Sequence, residues 1–114
     1  MFDYEKLIAY QKAKAVNREI QNFVSNKKIN PIIRDQLYRA STSILLNIAE
    51  GTGKLSKLDR KNFYVIARGS VFECASILEI LNNEDIISSQ DLSRMKAELE
   101  EVSRLLSGLI KSMT

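Results

Sequence analysis

Apolar residues return every three or four positions along almost the whole chain, the period of an amphipathic helix and not the alternation of a half-buried strand. The sharpest run is Leu92, Met95, Leu99, Val102, Leu106, Leu109 and Met113. Its steps alternate between three and four over three heptads, a coiled-coil-like seam. A second run, Ile8, Ala9, Ala13, Val16, Ile20, Phe23 and Val24, makes one stripe, with Lys12, Lys14, Arg18 and Gln21 on the other side. Between residues 43 and 49 the sequence Ser-Ile-Leu-Leu-Asn-Ile-Ala is apolar nearly all round, which predicts a helix buried on more than one side. From residue 63 onward there are two stripes. One is Phe63, Ile66, Ser70, Cys74, Ile77 and Leu81; the other is Val65, Gly69, Phe72 and Ile80.

Punctuation is sparse. Asn30-Pro31 supplies an N-cap and a proline suited to a first turn. Gly51-Thr52-Gly53 reads as a helix stop, with Gly51 in the left-handed position. Ser56-x-x-Asp59 and Ser88-x-x-Asp91 are capping signals, and Asn82-Asn83-Glu84-Asp85 is a polar break. These marks divide the chain into four helices. The first runs from about Asp3, which caps it, to Asn26. The second runs from Pro31 to Glu50, the third from Ser56-Lys57 to about Leu81, and the fourth from Ser88 through Met113. Four helices joined by short loops predict an all-α fold, an up-down four-helix bundle formed by residues 1–114 as a single domain. The apolar surface of the second and third helices exceeds the needs of one small bundle. It predicts an oligomer interface, unless both helices are simply central.

Composition changes this picture in one respect, through what is missing. The 114 residues include no His and one Cys. Ser–His and Cys–His catalytic pairs, His metal clusters and internal disulfides are therefore excluded, and no cofactor or metal is expected. Cys74 is expected to be a small core residue, and the adjacent Glu100 and Glu101 point to different faces. A non-catalytic binding or assembly module remains. No secretory leader and no apolar run of membrane-spanning length is visible, so a cytoplasmic protein without a membrane partner is expected.

Charge is polarised along the chain. Residues 1–62 carry 12 basic and 6 acidic side chains, a net +6, whereas residues 63–114 carry 5 and 8, a net −3. Lys54, Lys57, Arg60 and Lys61 gather where the third helix begins, with Tyr64 and Arg68 continuing the row at helical spacing. Cations repeated along a face bind phosphates, and an interleaved ring can stack on a base. With Lys12, Lys14 and Arg18 on the first helix, these residues are the candidate nucleic-acid surface, provided the parallel first and third helices bring their early turns together. Gly51-Thr52-Gly53-Lys54 lacks the spacing of a phosphate loop and follows a helix, so it is not one. A polar stripe of Gln36, Arg39, Ser43, Asn47 and Glu50 marks the second helix. It predicts an internal or intersubunit network, with Arg68 as a partner for Glu50, in preference to a binding seam.

Several segments together resemble one family. Gln36-Leu37-x-Arg39-Ala40, Ser43-Ile44-x-x-Asn47-Ile48-Ala49-Glu50-Gly51 and Ala67-Arg68-Gly69-Ser70 with Glu73 are similar to the four-helix-bundle proteins encoded in intervening sequences of bacterial 23S rRNA genes, the S23-like proteins. Leu7-x-x-Tyr10-Gln11-Lys12-Ala13 and Leu105-Leu106-x-Gly108-Leu109-Ile110 extend the likeness, which also reaches the accessory variability determinant of diversity-generating retroelements. The resemblance implies an up-down bundle that assembles into a homo-oligomeric ring, a pentamer in the retroelement relatives. It implies a basic surface for RNA or DNA and, in those relatives, a reverse transcriptase partner. It implies no catalysis. A protein-interaction scaffold with no nucleic-acid role is the alternative.

Overall fold

A computed structural model describes all 114 residues. Four helices, α1 (Ile8–Ser25), α2 (Pro31–Thr52), α3 (Lys57–Asn83) and α4 (Ser89–Ser112), follow one short 3-10 turn at Asp3–Lys6. They form an elongated bundle of 44 × 22 × 21 Å. Each helix packs on its two neighbours, while α1 and α3 stand at diagonal corners without contact.

The caps follow the sequence signals. Asn30 accepts from the Ile32 amide at 2.8 Å, Ser56 from Asp59 at 3.1 Å and Ser88 from Asp91 at 3.0 Å. The α4 seam is buried as its heptads require: Met95, Leu99, Val102 and Leu106 face a continuous core that includes Ile20, Leu37, Ile44, Ile48, Leu78 and Leu81. Cys74 lies within that core, and burial, then the nearby charge of Glu73, pushes its thiol up to about 12. No helix is long and apolar enough to cross a membrane.

The structure corrects three expectations. The first helix does not begin at Asp3. The Glu5 carboxylate accepts from the Phe2 amide at 2.7 Å and closes the 3-10 turn; Leu7 is extended, and α1 begins only at Ile8. The buried stripe therefore starts at Ala9 and leaves Ile8 exposed. Second, α2 passes through Gly51 and ends at Gly53, which has right-handed angles (φ −80°, ψ −8°). Gly51 is needed for space. A Cβ there would stand 2.8 Å from the Phe63 Cβ and 3.3 Å from the Arg60 carbonyl oxygen, so the missing side chain is what lets α2 and α3 approach. Third, α3 buries Tyr64, Ala67, Val71 and Leu78, which belonged to neither predicted stripe, and turns Val65, Ile66 and Phe72 outward. α2, read as buried on more than one side, packs against both α1 and α3 and leaves Leu46 exposed.

Candidate nucleic-acid interface

The α2–α3 junction is built from the core outward. The Tyr64 ring is buried, and its hydroxyl meets Thr52 Oγ1 at 2.8 Å, while Thr52 donates to the Ile48 carbonyl. Gly51 lets the backbones meet beside this pair. The intervening loop is tied down by Arg60, whose Nε donates to the Lys54 carbonyl at 2.6 Å. The Lys54 ammonium in turn lies 5.2 Å from the centre of the Phe63 ring. Lys57 is exposed and Lys61 half-buried. None of Lys54, Lys57, Arg60 and Lys61 meets a carboxylate. The loop is thus a fixed platform carrying four cations without ion-pair partners. Tyr64, expected as a stacking ring, is a core residue because its aromatic body fills the space that Gly51 opens.

The α1 part of the expected surface lies elsewhere. The early turns of α1 and α3 share one end of the bundle, but at diagonal corners. Lys12 faces α4 and pairs with Glu101 at 3.5 Å. Lys14 and Arg18 are exposed and have no ion pair. The seven cations therefore form two groups, with Lys12 neutralised. Sequence reasoning passed over a third group, Lys27, Lys28 and Arg34 at the α1–α2 turn, where Arg34 donates to the Lys27 carbonyl at 2.7 Å. The adjacent Lys27-Lys28 was the available signal.

The polar stripe of α2 does not form one network. Ser43 and Ser70 hydroxyls meet at 2.9 Å, and Asn47 donates to Ser43 from the next turn. That centre pins α2 to α3. Arg39 pairs only with Asp35 on its own helix, and Gln36 and Glu50 are exposed. Arg68 turns away from Glu50: its Nε donates to Ser107 on α4 at 3.0 Å, and its guanidinium covers the Phe72 ring at 4.7 Å. Only the middle of the stripe meets the neighbouring helix. The pin the sequence did not signal is Gln21 on α1, which donates to Ser41 of α2 at 2.8 Å.

Opposite the basic junction, α1 and α4 meet through carboxylates. Arg94 holds Glu19 across the seam and Asp91 on its own helix. Glu98 is pushed up to about 7, by burial first and then by a hydrogen bond shared with Glu19. Glu100 and Glu101 diverge as expected, one to Arg104 and the other to Lys12.

The family model for the 23S rRNA-intervening sequence protein matches residues 5–108. A crystal structure of a protein of unknown function from the S23 ribosomal protein family, from Bacteroides thetaiotaomicron VPI-5482, superposes with a TM-score of 0.85 at 26% identity. The match covers 91% of this chain and 99% of that one. No curated protein sequence matches.

Proposed function

This chain belongs to the 23S rRNA-intervening sequence protein family, and from that premise we propose that it is a non-catalytic, homo-oligomeric module of the cytoplasm that holds RNA or DNA against its α2–α3 end. One observation carries the reading: Lys54, Lys57, Arg60 and Lys61 lie within eight residues on a braced loop and helix start, and none is spent on a carboxylate. Lys12, Arg39, Arg94, Lys96 and Arg104, by contrast, are held in ion pairs, and the other unpaired cations, such as Lys14 and Arg18, lie away from this junction. Unpaired cations on a rigid support keep their field for an incoming polyanion. The reading takes the assembly to be a ring of five, as the resemblance implies, with exposed Ile32, Tyr38 and Leu46 of α2 among the surfaces that join copies. Repetition would then let several weak phosphate contacts act together. Catalysis has no support in the side chains: there is no His to act as base, and the one thiol is buried.

The second reading is a protein scaffold, with a reverse transcriptase as one such partner, and the exposed apolar side chains favour it. Fluorescence anisotropy with single-stranded RNA and DNA, from low to physiological salt, separates the two. Wild-type binding should be largely independent of sequence, because lysines contact phosphates and not base edges. Its affinity should fall with a logarithmic salt slope of about 0.7–0.9 per phosphate neutralised. Lys54→Glu with Lys57→Glu should weaken binding and flatten that slope while helicity and subunit count stay unchanged. An unchanged affinity rules out this surface, and no binding at low salt leaves the scaffold.

A further inference from the structure

Twelve large apolar side chains are exposed, and nine of them fall on two faces. On α2, Ile32, Tyr38 and Leu46 are exposed, and Phe2 of the N-terminal arm borders the same cleft as Leu46 and Ala49. On α3 the outward side carries Leu58, Val65, Ile66, Phe72 and Ile80. The two faces differ in relief. Leu46 is a knob, 62% exposed on the outer side of its helix. Gly69 is a gap in the middle of the α3 face, where an added Cβ would meet nothing within 4 Å. A glycine inside a helix costs about 0.5–1 kcal/mol relative to alanine, and no contact inside the chain accounts for this one.

The two faces also match in height along the bundle. Within the chain α2 and α3 run antiparallel, with Ser43 level with Ser70 and Gly51 level with Phe63. On that register Leu46 stands level with residue 67 or 68, and Arg39 with residue 74 or 75. At 1.5 Å per residue, Leu46 is then within about 3 Å of the height of Gly69, and Arg39 within about 3 Å of that of Glu73. Helical spacing displaces Arg39 from Leu46, and Glu73 from Gly69, toward the same side, the one on which α2 meets α3. By the same count Asp35 falls beside the height of Ser76, and Glu50 beside that of Asn62.

We propose that the α2 face of one copy docks on the α3 face of the next, with Leu46 seated over Gly69 between Val65 and Phe72 of its neighbour. The inference rests on the ring reading above and names the two faces that close the ring. When the bundles stand side by side along the ring axis, α2 meets the next α3 antiparallel, in the register already set inside the chain. Glu73, an exposed carboxylate within the apolar α3 face, then faces Arg39, whose guanidinium keeps Asp35 on its other edge. Asp35 and Glu50 meet Ser76 and Asn62, which can both donate hydrogen bonds. Two α3 faces docked on each other would instead leave Glu73 against apolar Val65. The absent side chain at Gly69 admits the Leu46 knob, as Gly51 admits close approach between α2 and α3.

The contact is heterologous, and its geometry suits closure. α1 and α3 are diagonal, so α2 and α3 hold adjacent corners. Adjacent corners of a four-helix bundle face about 90° apart, near the angle of about 108° that a closed ring of five needs between its contact faces. Opposed faces would give an open filament. The arrangement turns the α2–α3 edge toward the ring axis and leaves α1 and α4 outside. It also gathers the Lys54–Lys61 platforms of all copies around the axis at one end.

Leu46→Cys and Gly69→Cys test the pairing. Both positions are exposed, and the native Cys74 is buried. Chains carrying both substitutions should give, on mild oxidation, a covalent ladder that ends at five, because a knob seated over a glycine brings the two Cα atoms within disulfide range. Either substitution alone should leave the chain unlinked, since each face meets the other and never itself. Co-assembled single variants should give covalent dimers and nothing larger. Leu46→Asp should keep native helicity and weaken association at least tenfold. Light scattering on the wild type separates this proposal from the ring on which it rests. Five chains whose cysteines at 46 and 69 stay free to alkylate, or a single variant that links to itself, would overturn the face pairing and leave the ring standing. A monomer would overturn both. Neither readout involves nucleic acid.

Discussion

Gly51 and Gly108 are both helical glycines without a left-handed backbone, so intrinsic propensity treats them alike. Replacing either by Ala should gain about 0.8–1 kcal/mol from propensity. Their surroundings reverse the outcome. At Gly108 the new methyl meets nothing within 4 Å, so the gain stands. At Gly51 it lands 2.8 Å from the Phe63 Cβ, 3.2 Å from Tyr64 Cε1 and 3.3 Å from the Arg60 carbonyl. Carbon atoms rest about 3.5–4.0 Å apart. Two of the three obstacles, a Cβ and a carbonyl oxygen, belong to α3 at or next to its backbone and cannot rotate away. The helices must separate by several tenths of an ångström, and the Tyr64–Thr52 bond stretches with them. Overpacking of this kind costs about 1–3 kcal/mol. Net of propensity, Gly51→Ala should therefore destabilise by up to about 2 kcal/mol, while Gly108→Ala stabilises by up to about 1. Urea unfolding followed by circular dichroism, at fixed protein concentration, reads both. Equal and positive changes at the two sites would show that α2 and α3 are not held in the contact described, and the reasoning would fail.

Leu106→Ala, at a fully buried seam position, should cost about 2–5 kcal/mol in the same assay; a loss below 1 would mean the seam does not pack the core. Glu98 has a folded-state pKa raised to about 7 from 4.5. Its stabilising proton is fully bound below the unfolded value and is lost as pH rises through the folded one. Unfolding free energy should thus decline between about pH 4.5 and 7 on its account, and Glu98→Gln should flatten that decline. The gain at pH 8 should be no more than about 1 kcal/mol after solvent screening, and an unchanged pH profile would remove Glu98 from the seam's titration.

The sequence made the helices legible where one local signal sufficed. Caps at Asn30, Ser56 and Ser88 and the seam from Leu92 to Met113 depend on spacing alone, and they are found as read. What spacing does not carry is which of two plausible faces turns inward. On α3, Ile66 and Tyr64 are two residues apart, and hydrophobicity favours Ile66 for the core. The choice goes to Tyr64 because Gly51, on another helix, leaves room for its ring and Thr52 meets its hydroxyl. The candidate site was legible in the same measure. The cluster from Lys54 to Lys61 is contiguous in sequence and stays together. Joining it to Lys12, Lys14 and Arg18 required knowing that α1 and α3 are diagonal, and that Glu101 had already claimed Lys12.

That diagonal placement also bears on how the bundle comes apart. α2, α3 and α4 pack closely in sequence order, while α1 is attached more sparsely on both sides, with Gln21 on Ser41, Lys12 on Glu101 and Glu19 on Arg94 as its polar anchors. α1 is therefore the helix that can detach while the other three stay folded, as a separate cooperative unit. Its amides should exchange with solvent through that partial opening, before those of α3. Because two of its three polar anchors are ion pairs, the opening should become easier as salt rises.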